Sequence, residues 1–312
     1  MSSLGISGGE ATSGYARSPR GCLLKCLRLT QRLYTGKPQI LRVIESGDPQ
    51  EFLAYLKESE QLSGPLALRL VSDVPFDAES AAEEVILIKS FDESLREQEE
   101  IYRLLRMING PNIARSVANE LARTTVTEQD HASLLRRLWS SLGEESLGSN
   151  SPSRRWDTIG FQNANNPVTD FRGQGLFALH CLLQVPLWVP STRLSNLKSR
   201  SESFGLAVLS VNVSAWIRGL LMDKERTLID RMFYFDEKAF DAPARDMVLR
   251  ILGWLHWKVF EAFIEFWDAA APANILGFSE ISTEFRKGLS QVVGKLTPPE
   301  ECFKALPTTI KM

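Results

Sequence analysis

Trp254, Trp257, Phe260, Phe263, Ile264 and Trp267 recur every three or four positions between Pro243 and Ala269. Spacing of that kind sets them on one broad face of a helix. Pro243 suits the start of such a helix, because its fixed φ is already helical and its missing N–H is not needed there. A stripe this wide and aromatic has to be covered by apolar surface from elsewhere in the chain, and belongs to a core rather than to a ligand pocket.

The other segments offer that cover with the same period. Leu134, Leu135, Leu138, Trp139 and Leu142 share one helical face, with Thr127 as the cap before them. Leu176, Leu179, Leu182 and Leu183 repeat the pattern, and Pro186 is expected to end that run. Phe204 to Met222 is apolar but interrupted by Ser210, Asn212, Ser214 and Arg218, which argues for a buried helix rather than a membrane span. Asp48-Pro49 opens a helix to about Leu62, which Ser63-Gly64-Pro65 breaks. Pro75-Phe76-Asp77 opens an acidic helical stretch, unbroken or in pieces, to Met107, which Gly110-Pro111 is expected to end, and Asn112 to Arg123 is helical by composition. Ser191 to Arg200 reads as a short basic helix and Ile281 to Val293 as a last one, with Pro298-Pro299 closing the ordered part. No strand-length stretch alternates with period 2, so the expected fold class is all-α, multi-helix, with no significant β-sheet.

Chemistry is conspicuous mostly by what is missing. The net charge of −2 gives no bulk attraction for nucleic acid. Gly36-Lys37 is followed by Pro38 and lacks the upstream glycine of a phosphate loop. The three histidines, His131, His180 and His256, have no His or Cys at metal spacing. His180 and His256 sit in apolar helices as core residues, and His131 reads as a local capping residue. Cys22 and Cys26 lack a second zinc-binding pair, and Cys181 is a buried thiol; this usage fits a reducing compartment. No cofactor or metal is expected, nor an autonomous active site.

The N-terminal Ser- and Gly-rich residues read as a disordered tail. Gly21–Lys37 then carries Leu23, Leu27 and Tyr34 on one face, among an excess of Lys and Arg. Such a segment can dock as a first helix with a solvated basic face, lie on an anionic membrane with its cysteines acylated, or serve as a transit peptide.

Arg155 to Gly175 follows neither helical nor strand period. It mixes large aromatics with glycines and one central arginine, as an anchored irregular segment that presents binding residues would. Phe171 can hold the backbone in the core, Pro167 stiffens the approach, and Asp170 can accept from nearby amides. Gly173 and Gly175 are expected to permit close approach of another surface to Arg172. From chemistry alone two roles stay open for Arg172: an ion pair with Asp157 or Asp170 that ties the loop down, or a guanidinium offered to phosphate oxygens.

Trp156, Gly160-Phe161-Gln162, Pro167, Thr169-Asp170-Phe171-Arg172-Gly173 and Gly175, followed by Leu179 and Leu182, resemble the signature of the ELMO (engulfment and cell motility) domain. The likeness extends to His131–Trp139 and to Val211-Asn212-Val213-Ser214, and the chain is similar in length to the short ELMO-domain-containing proteins. The expected division is residues 1–20 as a disordered tail, 21–110 as an N-terminal helical part packed on the domain, 111–296 as the ELMO domain that the resemblance implies and 297–312 as a C-terminal tail. It implies a GTPase-activating protein for Arf- and Arl-family small GTPases, with Arg172 as the finger and the rest of the signature as its supporting loop. GTP and Mg²⁺ would belong to the partner GTPase, and the location would be cytoplasmic, with peripheral membrane contact through Gly21–Lys37. The alternative is a non-catalytic adaptor or effector on the same fold. Gln162 can orient water, or bond the loop backbone through its side chain. Two departures stand out. Four residues, Asn163 to Asn166, separate Gln162 from Pro167, one more than the family usually has, and Val185 stands where an aromatic is expected.

Overall fold

The computed structural model describes residues 38–59, 65–72, 74–89, 95–142, 155–199, 205–223, 227–272 and 274–306. The N-terminal tail, the basic Gly21–Lys37 segment and residues 143–153 lie outside them. The helices are α1 (Gln39–Ser46), α2 (Pro49–Glu58), α3 (Pro65–Val71), α4 (Ala78–Ile88), α5 (Leu95–Arg123), α6 (Glu128–Leu142), α7 (Gly175–Trp188), α8 (Ser191–Ser199), α9 (Leu206–Met222), α10 (Thr227–Asp230), α11 (Ala244–Ala270), α12 (Phe278–Lys287) and α13 (Leu289–Gly294). Short 3₁₀ turns join several of them, and no strand occurs among the described residues.

α7 sits at the centre. Every residue from Gly175 to Val185 is buried, as befits a helix that is apolar all round. α5, α6, α9 and α11 pack on it. The aromatic stripe of α11 is core: Trp254, Trp257, Phe260, Phe263, Ile264 and Trp267 are all buried. Phe263 meets Trp216 of α9 and Phe285 of α12 edge-on, each at 5.2 Å between ring centroids. A second apolar cluster, from Ile40, Phe52 and Leu56 through Val85 to Ile108, lies among α1 to α4 and the first half of α5.

α5 therefore serves both clusters, and it overrides a local stop signal. Gly110-Pro111 does not end the helix; one run of 29 residues passes through it. Pro111 removes one internal hydrogen bond, at a cost of about 3 kcal/mol in an unsupported helix. Packing on both sides offsets that cost. A side-chain carbon on Gly110 would lie 1.9 Å from the Phe233 carbonyl oxygen, so only glycine admits the turn at Arg231–Phe233. Ion pairs flank the contact. Arg106 donates Nε and Nη2 to Asp236 at 2.6 and 3.1 Å, and Arg115 donates to Asp230 at 2.6 Å. Asn109 exchanges hydrogen bonds with the backbone of Phe76.

Other ends also differ from the expected ones. Pro186 lies inside α7, which reaches Trp188 before Val189 turns extended. α2 stops at Glu58 rather than near Leu62. The last helix is two, α12 and α13, parted at Gly288, while the acidic stretch after Asp77 has the break its sequence allows, between α4 and α5. Pro298-Pro299 does not close the structured part. Cys302 and Leu306 are buried beyond it, Phe303 stacks on Phe240 at 4.8 Å, and the Leu306 N–H donates to Asp246. Among the described residues no helix is long and apolar enough to cross a membrane.

His180 and His256 are core residues, as their neighbours in sequence imply. Gln184 donates its amide to His180 Nε2 at 2.7 Å and to the Leu249 carbonyl at 2.8 Å. His256 Nε2 lies 3.0 Å from the Ser210 carbonyl. Burial pushes both imidazoles down to about 4, from an ordinary 6.5. Between these values the unfolded chain holds protons that the folded one excludes. Stability from the two neutral rings is therefore complete above pH 6.5 and is lost as pH falls toward about 4. The full effect is on the order of 3 kcal/mol per ring. Urea unfolding at a series of pH values is expected to show about two protons taken up on unfolding in this window. Gly110→Ala is expected to cost about 1–3 kcal/mol in the same assay at neutral pH.

Candidate functional site

The segment from Arg155 to Gly175 is less irregular than its sequence looks. It forms two 3₁₀ turns, Trp156–Ile159 and Pro167–Gly173. Trp156 N–H donates to the Ala164 carbonyl at 2.9 Å, and Phe161 N–H returns to the Trp156 carbonyl at 3.2 Å. The aromatics are core groups, Phe171 as expected and Trp156 and Phe161 with it. Trp156, Phe161 and Phe171 are buried, and with Trp139 of α6 they form a chain of edge-on contacts at 5.2, 5.6 and 5.5 Å. Such contacts add about 0.5–1.5 kcal/mol each beyond their area.

Gly160 has φ +87°, a left-handed conformation that glycine adopts without strain. It also lies against the chain entering α9: an added carbon would sit 2.3 Å from the Leu206 nitrogen and 2.6 Å from Gly205. The Val208 N–H donates to the Gly160 carbonyl at 3.2 Å. Gly205 is thus a site residue that the signature does not contain, and its one sequence signal is its place just before a buried helix.

Asn163 and Asn166 organise the four-residue excursion. Asn163 Oδ1 accepts from the N–H groups of Asn165 and Asn166 at 2.9 and 3.1 Å. Asn166 Oδ1 accepts from the Val168 N–H at 3.0 Å and caps the turn that Pro167 opens. Both are Asx motifs, readable in an Asn-x-Asn-Asn-Pro string once capping is sought. Asp170 does accept from a backbone amide, as its sequence setting implies, but the donor is Gln162 N–H, eight positions back, at 2.7 Å. The Gln162 side chain does not bond the loop; it is exposed and makes no hydrogen bond among the described residues.

Gly173 and Gly175 differ from each other. An added carbon on Gly173 would meet nothing within 4 Å. Gly175, at φ +49°, lies against the end of α5, where an added carbon would come within 2.4 Å of the Thr124 carbonyl oxygen and 2.9 Å of that of Leu121. The Leu176 N–H donates to Thr124 at 2.9 Å. The close approach at Gly175 is therefore internal, and the open glycine is Gly173.

Arg172 is exposed. Its Nε donates to the Thr169 carbonyl within its own turn at 2.7 Å. The ion pair with Asp157 or Asp170 is not formed. Asp157 is held by Arg155 at 2.5 Å, a hydrogen bond that keeps its carboxyl below the usual range, and Asp170 faces Gln162. A cleft of about 360 Å³ opens beside the loop, between Phe161 and Gln162 on one side and Val208, Leu209 and Phe278 on the other. Among the described residues no group of His, Cys, Asp or Glu is arranged to hold a metal ion.

The ELMO/CED-12 family model matches residues 118–282, more than half of the chain. ELMO domain-containing protein B of Dictyostelium discoideum is 24% identical over 272 residues, spanning 83% of this chain and 91% of its own. ELMO domain-containing protein 1 of Homo sapiens is 28% identical over 317 residues, spanning 89% and 90%. The protein of that name from Mus musculus is 22% identical over 309 residues. No solved structure matches the chain.

The two glycines that follow the arginine make a direct comparison. Gly175→Ala is expected to destabilise by about 1–3 kcal/mol through its clash with α5. Gly173→Ala is expected to stay within about 0.5 kcal/mol of the parent, as an open surface site should. Paired denaturant melts measure both; equal losses at the two positions would contradict the packing described here.

Proposed function

The chain belongs to the ELMO/CED-12 family, and on that premise we propose that it is a GTPase-activating protein for Arf- or Arl-type small GTPases, with Arg172 inserted in trans as an arginine finger. One observation carries the assignment: Arg172 is an exposed arginine tied at Nε to a main-chain carbonyl and paired with no carboxylate among the described residues. Arginines elsewhere in the fold are engaged in ion pairs: Arg106, Arg115, Arg155 and Arg245 all meet carboxylates.

The chemistry follows from the guanidinium. Holding Nε by Thr169 leaves the two Nη groups to point away as a planar fork, which suits two phosphate oxygens at once. In GTP hydrolysis negative charge spreads over the oxygens of the transferring phosphoryl group, and a fixed cation there accelerates the reaction by about 10³–10⁵. GTP, Mg²⁺ and the attacking water belong to the GTPase. The loop contributes no proton transfer; it brings a charge and excludes water around it. The open Gly173 keeps the backbone after the finger bare, so a partner surface can come close to it. The cleft beside Gln162 offers that partner an apolar margin.

Single-turnover hydrolysis by an Arf- or Arl-type GTPase, with this chain in excess, tests the assignment. Arg172→Lys and Arg172→Ala are each expected to lower the accelerated rate on the order of 10³-fold, with binding of the GTP-loaded partner nearly unchanged. A non-catalytic adaptor would instead bind the GTPase without accelerating it, and acceleration that survived Arg172→Lys would remove the finger. Gly21–Lys37 supplies a peripheral contact with an anionic membrane in this proposal. Removing residues 1–37 is expected to abolish co-sedimentation with vesicles containing anionic lipid while sparing the rate in solution; unchanged co-sedimentation would rule that contact out.

A further inference from the structure

We propose that Asp170 is a positioning residue for Arg172: its carboxylate staples the turn that carries the arginine to the turn before it, so that the intervening excursion cannot move the guanidinium. The proposal rests on the GTPase-activating reading above and adds a second residue to it.

The path of hydrogen bonds is short. Asp170 Oδ2 accepts from Gln162 N–H at 2.7 Å. Asp170 Oδ1 faces the Thr169 hydroxyl at 3.4 Å, and that hydroxyl also donates to the Asn166 carbonyl at 3.2 Å. The carbonyl of the same Thr169 receives Arg172 Nε at 2.7 Å. Between Gln162 and Asp170, residues 163–166 are folded back by Asn163 Oδ1 and tied at the Ala164 carbonyl to Trp156 N–H and through Asn166 to Val168 and Thr169. The excursion is thus a closed bulge whose base is the Asp170–Gln162 bond.

Electrostatics argue that Asp170 is there for geometry. Among the described residues no Lys or Arg pairs with it. A bare carboxylate two positions from a cation that must approach phosphate works against that approach. What it supplies is a strong acceptor for a backbone N–H, better than a neutral group would be. Both turns are also held independently by their aromatics, since Phe161 and Phe171 are buried and pack at 5.5 Å. Loss of the staple should therefore loosen the finger without unfolding the loop.

The full-length chain carrying Asp170→Ala, Asp170→Asn or Arg172→Lys is compared with the parent in single-turnover hydrolysis on a GTP-loaded Arf-type GTPase, and amide exchange of Gln162 is followed by NMR in the free protein. Asp170→Ala is expected to lower the saturated rate about 10- to 100-fold while the half-saturating concentration stays within about twofold. Asp170→Asn, which keeps a weaker, neutral acceptor, is expected to restore most of the parental rate. Gln162 amide exchange is expected to speed up about tenfold or more in Asp170→Ala and to stay slow in Asp170→Asn. A parental rate or parental exchange in Asp170→Ala would overturn the proposal, as would a rate loss matched by an equal loss of affinity, which would mark a contact surface. If the parent accelerates no GTPase while Gln162 exchange still responds to Asp170→Ala, the GTPase reading falls and the staple stands.

Discussion

The arginine loop takes its position from the contact between Gly175 and the last turn of α5. Helices end in carbonyl groups without internal donors. Here the end of α5 presents the Leu121, Ala122 and Thr124 carbonyls to a residue with no side chain, and the first N–H of α7 that faces them, that of Leu176, is taken by Thr124. α7 is buried on every side, so its start cannot shift without disturbing α5, α6, α9 and α11 together. The loop that ends at Gly175 is therefore held at its downstream end by the deepest part of the fold. Upstream, the Gly160–Gly205 contact and the aromatic chain from Trp139 to Phe171 fix the other end. Between two immovable ends, the exposed arginine has little room to wander.

How much of this the sequence disclosed follows a physical rule. Elements whose identity rests on their own period were legible. The stripe of α11, the leucines of α6 and α7, and the interrupted apolar run of α9 all formed helices with the expected face inside. The ELMO signature spans the loop, and the arginine at its centre is exposed in the structure. Stop signals were less reliable. Gly110-Pro111 and Pro186 are breakers in isolated helices, yet both lie within helices whose neighbours supply the missing stabilisation. The role of a glycine is also invisible when it depends on what lies opposite. Gly173 and Gly175 look alike in sequence, but one faces open space and the other the carbonyls of α5. Likewise the partner of Asp170 could not be read, because a carboxylate has many amides within reach of a folded loop.

The two apolar clusters are joined through charge as well as through the shared helix. Arg106 and Asp236, with side chains 9% and 17% exposed, and Arg115 and Asp230, at 7% and 16%, bridge α5 to the end of α10 and the chain that follows it. Largely buried pairs of this kind add little net stability, because desolvation offsets much of their attraction. Breaking one partner is nonetheless costly, so they discriminate against arrangements in which α5 is rotated or shifted. They stand on either side of Gly110 and Pro111, where the helix is intrinsically weakest.

The bond from Arg172 Nε to Thr169 has a consequence for the energetics of encounter. A free arginine side chain gives up about 2 kcal/mol of rotamer entropy when it is immobilised. In this chain part of that freedom is already surrendered on folding, long before any partner arrives. In the proposed finger role, binding then has less disorder to remove, and more of the guanidinium's attraction for phosphate remains available to the transition state. A main-chain carbonyl suits this task because it restrains without neutralising: the arginine is held still and keeps its full charge.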